Sequence, residues 1–449
     1  MINNTTYKIG MMALLLFFTT AGQISKAQET KTLSMDDAVQ LSLQNSKQLK
    51  LSQAKVDESK ASLKQAKENR LPDLKASGSY LRINNPTVDL KVKLGSSGSS
   101  QSAPPKIDQA SYGIVNASIP LFSGLRIQYG IESARYLDQA TRLDAERDRD
   151  GVIQNTIAAY VNLYKSKTTV NLMNENLKQS KQRVADFSNL EQNGLIARND
   201  LLKVQLQESN IELSLLDAEN NWKMAMINMN LMLGLPENTV IDIDTNSLMQ
   251  PTDINGKLDW EQTALMHRQD IAAMSLREKA ANSGIKAAKG EYFPSFALSG
   301  GYIALDVPNF LTVTNAINGG IGLQYNVGSL WKTGSKVAQA KARKQQIVAN
   351  EEMISDEVRL QVNKAYENYV LSIKKIEVYA KAVEQASENY RITKNKYTNN
   401  LVTTTDLLDA DIAQLQARLN YTNAKADAVV AYKNLLQTAG IINQQYIKK

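Results

Sequence analysis

Cysteine is absent from the 449 residues of this chain, and histidine occurs once, at His267. The absence of cysteine excludes disulfides, thiol catalysis and a cysteine-linked lipid anchor. A lone imidazole argues against a zinc site or a catalytic triad, because the chain has no other histidine and no cysteine to complete either kind of site. We therefore expect no metal, no cofactor and no enzymatic activity.

Proline is also scarce, and its nine occurrences leave 121–235 and 309–449 free of it. Because proline breaks helix interiors, proline-free stretches of this length permit very long helices. Apolar residues spaced by seven indicate a coiled-coil seam in each stretch. These residues are Leu163, Val170, Leu177 and Val184 in the first stretch and Tyr369, Ile376, Val383 and Tyr390 in the second.

Long apolar runs are missing after the N-terminus. Near the N-terminus, Lys8 is followed by a short apolar run over 9–21 and by a small-x-Ala site that ends at Ala27. This pattern is typical of a secretory signal peptide, which we predict over 1–27 with cleavage after Ala27. No later run reaches the 18 apolar residues that indicate a transmembrane helix. We expect an exported protein of the periplasm, the outer membrane or the exterior.

The charge excess is small. The formal net charge of +7 becomes +5 without 1–27, because Lys8 and Lys26 leave and no acidic residue leaves with them. The excess is spread along the chain and forms no basic block of the kind that nucleic-acid binding requires. We expect no nucleic-acid partner.

What the chain does contain is an internal duplication. Adding 222 to the residue number carries Lys64, Pro72 and Tyr80 onto Lys286, Pro294 and Tyr302, and adding 206 carries Ser123, Asp200 and Gly234 onto Ser329, Asp406 and Gly440. The 16 residues by which the offsets differ lie between Tyr80 and Tyr112, where Asn, Gly, Ser and Pro predict a loop. We predict a first repeat over 28–240, a linker or equatorial segment over 241–258 and a second repeat over 259–449.

Each repeat is predicted to hold three helices and two strands. The helices are expected at about 34–69, 124–193 and 197–234, and again at 259–291, 333–399 and 403–440. A helix over 124–193 is roughly 105 Å long, too long for a compact core, so it must pack against antiparallel neighbours. Alternation of apolar with small or polar residues predicts strands at about 72–84, 111–122, 294–306 and 317–330.

Two interpretations of the four strands are open. Hairpins of a soluble sheet show the same alternation as strands that face lipid. The aromatic residues Phe122, Tyr292, Phe293 and Trp331 at the helix-facing ends favour lipid, because aromatic side chains collect at membrane interfaces. Four strands do not close on themselves, and open sheet edges are excluded from lipid. The membrane interpretation therefore requires strands from other subunits.

Several segments together resemble the TolC-type outer membrane efflux family, over essentially the whole chain after the predicted signal peptide. They are Leu71-Pro72-x-Leu and Phe293-Pro294-x-Phe before strands, Pro120-Leu121-Phe122-Ser123-Gly124 after one, and the tip-plus-return segments 193–202 and 399–410. The resemblance implies a mainly α fold with a membrane β-barrel part. Long antiparallel coiled-coil helices would form an α-barrel in the periplasm, below a 12-stranded β-barrel to which each subunit of a homotrimer contributes four strands.

The resemblance also implies a function. The protein would be the outer-membrane exit duct of a tripartite system, passively conducting small molecules or peptides from an inner-membrane transporter through a periplasmic adaptor (membrane fusion protein). The alternative is a periplasmic coiled-coil scaffold or adaptor with a soluble β-sheet. The duplication, with two strand pairs, argues against that alternative.

In this family, acidic residues after the second tip narrow the entrance, and the matching residues are Asp406 and Asp409. Asp406 has an alternative role, because Asp200 occupies the same place in the first repeat and an Asp early in a helix stabilises its positive end. We expect Asp200 to be a structural cap. Asp409 is the better gate candidate, since its counterpart is Lys203.

The predicted tips between long and return helices are the candidate adaptor contacts. Gly194, Leu195, Asn400 and Leu401 occupy them, and Gly and Asn tolerate the left-handed conformation that ends a helix. The alternative is that they only form tight turns. Some relatives carry an arginine in the tip, at a position near Val402 of this chain. This chain has no arginine there, which argues against a closed entrance held by an arginine network.

Overall fold

The computed structural model describes residues 31–84, 107–243, 259–308 and 310–447. The predicted signal peptide, residues 85–106 of the predicted loop and residues 244–258 of the predicted linker lie outside the described residues.

Both repeats contain two short helices, two strands, a long helix and a return helix, in that order. The first contains β1 (Lys31–Leu33), α1 (Met35–Asn45), α2 (Lys47–Glu68), β2 (Asp73–Arg82), β3 (Gln109–Phe122), α3 (Arg126–Gln192) and α4 (Arg198–Leu233). Strand β4 (Ile241–Ile243) pairs in parallel with β1. The second contains α5 (Trp260–His267), α6 (Gln269–Lys289), β5 (Ser295–Val307), β6 (Leu311–Gln324), α7 (Ser329–Thr398), α8 (Thr404–Thr438) and α9 (Gln444–Ile447), with a 3-10 turn over Gly290–Tyr292 before β5.

The prediction of one continuous helix over 34–69 and another over 259–291 is wrong, because each of these segments forms two helices with one break between them. The breaks fall at Ser46 and Arg268, which are equivalent under the offset of 222. Both residues leave the helical conformation, with ψ of 121° and 127°. The Ser46 hydroxyl then caps α2 by accepting a hydrogen bond of 3.2 Å from the Leu49 amide.

The last strand was predicted over 317–330, but β6 lies about six residues closer to the N-terminus, at Leu311–Gln324. Strand β6 ends at Gln324, because Asn326 forms a turn in which its side-chain oxygen accepts from the Gly328 amide at 3.1 Å. The Asn326 carbonyl accepts from the Ser329 amide at 2.8 Å, where α7 begins.

The long helices lie in a layer four helices wide. Helix α3 is internal to it, packing first against α2 and α6 and further along against α4 and α8. Helix α7 forms one edge, where it contacts α6 near the sheet and α8 beyond it. Helices α2 and α4 form the opposite edge. Among the helices of the described ranges, none has a stretch apolar and long enough to cross a bilayer.

The largest apolar core lies midway along α3, where α1, α4, the β1–β4 pair and the C-terminal segment converge. Ile153, Ile157 and Tyr160 of α3 are fully buried there. The Tyr160 hydroxyl donates to the Leu33 carbonyl at 2.8 Å, so it satisfies its polar group inside the core. This core holds the middle of α3 in place, and α3 connects the core to the sheet at one end and to the tip at the other.

The sheet is antiparallel in the order β2-β3-β5-β6, so the two hairpins pair through β3 and β5. Its register places apolar residues on one face, as in the row of Ala76, Val115, Tyr302 and Ile317. Small and polar residues occupy the other face, as in the row of Lys75, Asn116, Gly301 and Asn318. The apolar face is open: Leu74, Ile317 and Ile321 are 70%, 82% and 71% exposed. Within the described ranges, neither outer edge, β2 or β6, has a partner strand.

Candidate functional site

The two helical tips use the same turn. At the end of α3, the Gly194 amide donates to Glu191 at 2.9 Å and the Leu195 amide to Leu190 at 2.9 Å. At the end of α7, Asn400 and Leu401 repeat this pattern onto Tyr397 and Lys396, at 3.0 and 2.9 Å. Gly194 and Asn400 both have left-handed φ, 70° and 59°. Each turn is a Schellman motif, which requires Gly or Asn at that position.

The same turns leave two leucines uncovered. Leu195 is 70% exposed and Leu401 71% exposed, although the residue at this position of a Schellman motif often packs onto its helix. Each tip therefore offers a large apolar side chain to the surroundings.

Asp406 forms a capping box at the start of α8. Its Oδ2 accepts from the Thr403 amide at 2.8 Å and from the Thr403 hydroxyl at 2.6 Å, while its own amide donates to the Thr403 hydroxyl at 3.2 Å. The Thr403 hydroxyl and amide lower the pKa of the Asp406 carboxyl, so it is ionised at neutral pH.

Asp200 does not cap in this way. The residue before its helix is Ala197, which has no hydroxyl, so the capping box of the second repeat has no counterpart in the first. The Asp200 carboxylate lies in the first turn of α4 and pairs with Lys203 at 3.4 Å. Asp200 is thus placed where a negative charge can stabilise the positive end of the helix, as predicted, but without the hydrogen bonds of a capping box.

Asp409 is exposed on α8, and within the described ranges no hydrogen bond or ion pair holds its carboxylate. Its counterpart Lys203 reaches across to the Thr405 hydroxyl at 3.4 Å. The return helices α4 and α8 therefore approach each other at the tips, and the free carboxylate of Asp409 is displayed close to that meeting point.

A buried ion pair near the tips was missed from the sequence. Arg183 of α3 donates to Asp411 of α8 at 2.9 Å, with the side chains 10% and 3% exposed, and to the Tyr390 hydroxyl of α7 at 3.4 Å. Burial alone lowers the pKa of Arg183, but the hydrogen bond and charge of Asp411, helped by Tyr390, raise it overall. No local pattern signals this pair, because its members are 228 positions apart.

Below the tips, both hairpins share one apolar cluster. Phe187 stacks on Tyr397 with ring centroids 5.5 Å apart, next to the buried Leu201, Leu407 and Leu408. This cluster and the Arg183–Asp411 pair join the hairpins, so the two tips of the chain are held side by side.

The predicted interface aromatics lie at the other end of the helices. Phe122, Tyr292, Phe293 and Trp331 are 36%, 37%, 58% and 67% exposed, beside the strand ends. The repeats touch here, since a β-carbon on Gly124 would overlap the Gly290 carbonyl. The structure does not bring these residues near Asp406 and Asp409, and it separates two sites, one at each end of the helices.

Comparison with known proteins agrees with this architecture. BepC, an outer membrane efflux protein of Brucella suis biovar 1 (strain 1330), is 23% identical over 393 residues, 84% of this chain and 84% of BepC. Outer membrane protein TolC of Escherichia coli (strain K12) is 21% identical over 324 residues, 67% of this chain and 63% of TolC.

The solved structure of the Campylobacter jejuni CmeC outer membrane channel superposes with a TM-score of 0.75 at 18% identity, covering 91% of this chain and 86% of CmeC. It confirms the mainly helical, TolC-like fold. The family described as outer membrane efflux protein matches 38–235 and 260–441, one segment in each repeat and more than half of the chain. This chain therefore belongs to the outer membrane efflux protein family, as its resemblance to TolC-type proteins implied.

Proposed function

We propose that three copies of this chain close a 12-stranded barrel in the outer membrane, which their helices continue as an α-barrel through the periplasm. One observation carries the proposal: within the described residues, the sheet has four strands, an exposed apolar face and two unpaired edges. Lipid would cover the face, but only further strands can pair the edges. Eight strands from a dimer would enclose a lumen filled by side chains, whereas three subunits leave room for an aqueous path.

The internal duplication supports the same closure for the helices. Leu202 on the outer edge of α4 is 50% exposed, whereas its counterpart Leu408 on α8 is 8% exposed because it belongs to the apolar cluster below the tips. Helix α3 packs against α8 and contributes Phe187 to that cluster. Other apolar residues of that edge are equally open: Leu206, Leu213, Leu216 and Met224 are 64%, 61%, 56% and 55% exposed. If α7 of a neighbouring subunit covers α4 as α3 covers α8, six hairpins form a ring.

In this assembly the chain is a passive duct. Export through it would be driven by an inner-membrane transporter, to which a periplasmic adaptor links the tips. The exposed Leu195 and Leu401 provide apolar anchors for the adaptor, and Phe122, Tyr292, Phe293 and Trp331 set the membrane interface. Three copies of Asp409 would place a ring of free carboxylates at the entrance and favour cations there.

Fractionation of cells combined with unheated gel electrophoresis tests the proposal. We expect the protein in the outer membrane fraction, migrating as a trimer until it is boiled. A periplasmic scaffold with a soluble sheet would instead be released by osmotic shock and run as a monomer at any temperature. That outcome contradicts the proposed function.

Conductance in planar bilayers tests the entrance. We expect Asp409→Asn to raise single-channel conductance and weaken cation preference, because it removes three carboxylates from the constriction. Asp200→Asn is the control, since that carboxylate is already paired with Lys203. Unchanged conductance in Asp409→Asn would remove Asp409 from the entrance.

Co-purification tests the tips. The double variant Leu195→Ser with Leu401→Ser is expected to lose most of the adaptor that wild type retains. Leu51→Ser is the control, because Leu51 is 51% exposed but lies on α2, away from the tips. Equal retention by both variants would show that the tip leucines only complete the turns.

A further inference from the structure

Each of the four junctions between sheet and helices carries an exposed cation. Lys67 and Arg70 precede β2, Arg126 follows β3, Lys289 precedes β5 and Lys332 follows β6. Arg126 donates to the Ser123 carbonyl at 3.0 Å, but none of these five side chains has a carboxylate partner in the described part of the chain. We refer to the five as the basic collar.

The acidic residues at these junctions do not neutralise the basic collar, because other lysines already bind them. The pairs are Glu68 with Lys64 at 3.7 Å, Asp73 with Lys75 at 2.8 Å and Glu291 with Lys336 at 2.6 Å. Among the described residues, these carboxylates therefore leave the cations of the basic collar unpaired.

The cations from the two repeats lie at one level. Gly124 and Gly290 approach so closely that a β-carbon on either would overlap the other's backbone. A β-carbon on Gly290 would also overlap Arg126 Cγ, so the stem of Arg126 lies against the residue that follows Lys289. The junctions after β3 and before β5 thus form one surface.

The aromatic residues Tyr292, Phe293 and Trp331 are exposed at the same junctions, next to the ends of the strands. Aromatic and cationic side chains at the border of an apolar band are typical of the headgroup region of a membrane. In the proposed barrel, the basic collar would lie at the headgroup level of the leaflet from which the helices extend.

The start of α7 strengthens the positive field. Residues 329–350 contain five cations and no acidic residue: Lys332, Lys336, Lys341, Arg343 and Lys344. The equivalent stretch 123–144 of the first repeat is balanced, with three arginines and three acidic residues. Only Lys332 lies in the first turn of α7, where a cation is unfavourable beside the positive end of the helix and an external anion would relieve the cost. Lys336 and Lys344 are already paired, with Glu291 at 2.6 Å and with Glu278 at 3.2 Å.

We propose that the basic collar binds the phosphodiester headgroups of anionic phospholipids in the leaflet facing the helices. The inference rests on the proposed barrel, which sets the sheet in the bilayer. Lysine and arginine are ionised at neutral pH, and their attraction for phosphate extends about 10 Å before salt screens it. Lys341 and Arg343 lie further along α7 and add to the potential rather than to direct contacts.

Native mass spectrometry of the detergent-solubilised protein tests the proposal. The probes are phosphatidylglycerol and phosphatidylcholine with the same acyl chains. We expect wild type to retain about five times more phosphatidylglycerol at low salt, and the preference to vanish in 0.5 M salt, where screening is strong.

Two double variants make the test specific. Lys289→Gln with Lys332→Gln removes two cations of the basic collar and is expected to lose most of the preference. Lys394→Gln with Lys396→Gln removes two exposed lysines near the tip and is expected to keep it. Equal retention of the two lipids by wild type, or the same loss in both variants, would overturn the proposal.

Carboxylates of a neighbouring subunit are the other anions that the basic collar could meet. In that case Lys289→Gln with Lys332→Gln would lower the dissociation temperature of the trimer without altering lipid preference, and the lipid proposal would be wrong. A heat-sensitive trimer in the outer membrane would still support the proposed function, so the two failures are distinguishable.

Discussion

The two hairpins of this chain, α3 with α4 and α7 with α8, end in the same Schellman turn, but their interiors differ. Val170, Leu177, Ile211, Leu215 and Trp222 pack together in the first hairpin. Their counterparts in the second are Ile376, Val383, Ala417, Tyr421 and Ala428. The alanines at 417 and 428 bury less apolar surface than Ile211 and Trp222 do, and Tyr421 is only half-buried.

The second hairpin instead contains a polar cavity of about 300 Å³ between α7 and α8, lined in part by Asn368, Ser372, Asn420 and Asp427. Tips are determined by local turn chemistry, so the duplication keeps them alike. The interiors depend on tertiary packing and are free to diverge. We expect the second hairpin to open locally at a lower free energy than the first.

The largest effect is expected where the hairpins meet. Asp411→Ala should destabilise the helical part by about 3–5 kcal/mol, because it leaves Arg183 charged and buried without its partner. Asp427→Ala is the matched control, since Asp427 also joins α8 to α3, through Lys165 at 2.7 Å, but is 58% exposed. It should cost at most about 1 kcal/mol. Urea unfolding followed by circular dichroism measures both, and equal losses would contradict the account.

Truncating equivalent core residues tests the difference in packing directly. Leu177→Ala should cost about 3 kcal/mol, because Leu177 is 9% exposed in the apolar cluster. Val383→Ala, at the equivalent position of the second hairpin, should cost about 1 kcal/mol, because Val383 is only half-buried and loses fewer methyl groups. Hydrogen exchange of each hairpin reports the change locally. A larger loss at Val383 would reverse the comparison.

A pair of equivalent aspartates gives a pH-dependent contrast. Asp150 is 7% exposed, and burial, with the nearby charge of Glu146, raises its pKa to about 6, although Arg149 opposes this. The folded state therefore binds more protons than the unfolded state between about pH 4 and 6, and stability falls as the pH rises through that window. Asp150→Asn should gain about 1 kcal/mol at pH 7.5, after allowance for solvent access, and nothing at pH 4.

Asp356, the counterpart of Asp150, is the control, because its side chain is 81% exposed. Asp356→Asn should leave thermal unfolding unchanged at both pH values. A gain that persists undiminished at pH 4 in Asp150→Asn would show that burial of the charge is not its cause.

The smallest effect is expected at the tips. Gly194→Ala should cost about 0.5–1 kcal/mol through backbone strain alone, since no atom lies within 4 Å of the added β-carbon. Gly194→Asn should cost less, because Asn400 adopts the same conformation in the second tip. Thermal unfolding of the two variants distinguishes strain from loss of contact, and equal costs would argue against strain.

Much of the fold follows from local signals. The ends of the two long helices lie within four residues of the predicted ones, because proline, glycine and heptad spacing act locally. The helix breaks at Ser46 and Arg268 were missed because neither residue is a proline or glycine. Strand β6 was misplaced because alternation continues through Tyr325 and Val327, past the turn formed by Asn326.

The sites were less predictable than the fold. The capping role of Asp406 follows from its distance to Thr403 in the chain, which is local. The Arg183–Asp411 pair depends on how the two hairpins pack, and the burial of Asp150 but not Asp356 depends on what lies beside each helix. Tertiary neighbours of this kind leave no local signal.

The central claim is that the sheet is one third of a closed barrel, and the duplication specifies how it closes. Asn116 of β3 pairs with Gly301 of β5 within the subunit. Adding 206 to 116 gives Gly322, the equivalent of Asn116 on β6, and subtracting 222 from 301 gives Ser79, the equivalent of Gly301 on β2. If the contact between subunits repeats the contact within one, Gly322 lies opposite Ser79 of a neighbour. Residues directly opposite in an antiparallel pair are close enough for a disulfide, and the chain has no other cysteine to interfere.

Oxidative cross-linking of Ser79→Cys with Gly322→Cys in outer membranes is therefore the most direct measurement. We predict a covalent trimer on non-reducing gels, little product from either single variant, and less from Ser79→Cys with Gly320→Cys, which is two residues out of register. A double variant that remains monomeric under oxidant, or that stops at dimers, would contradict the closed barrel.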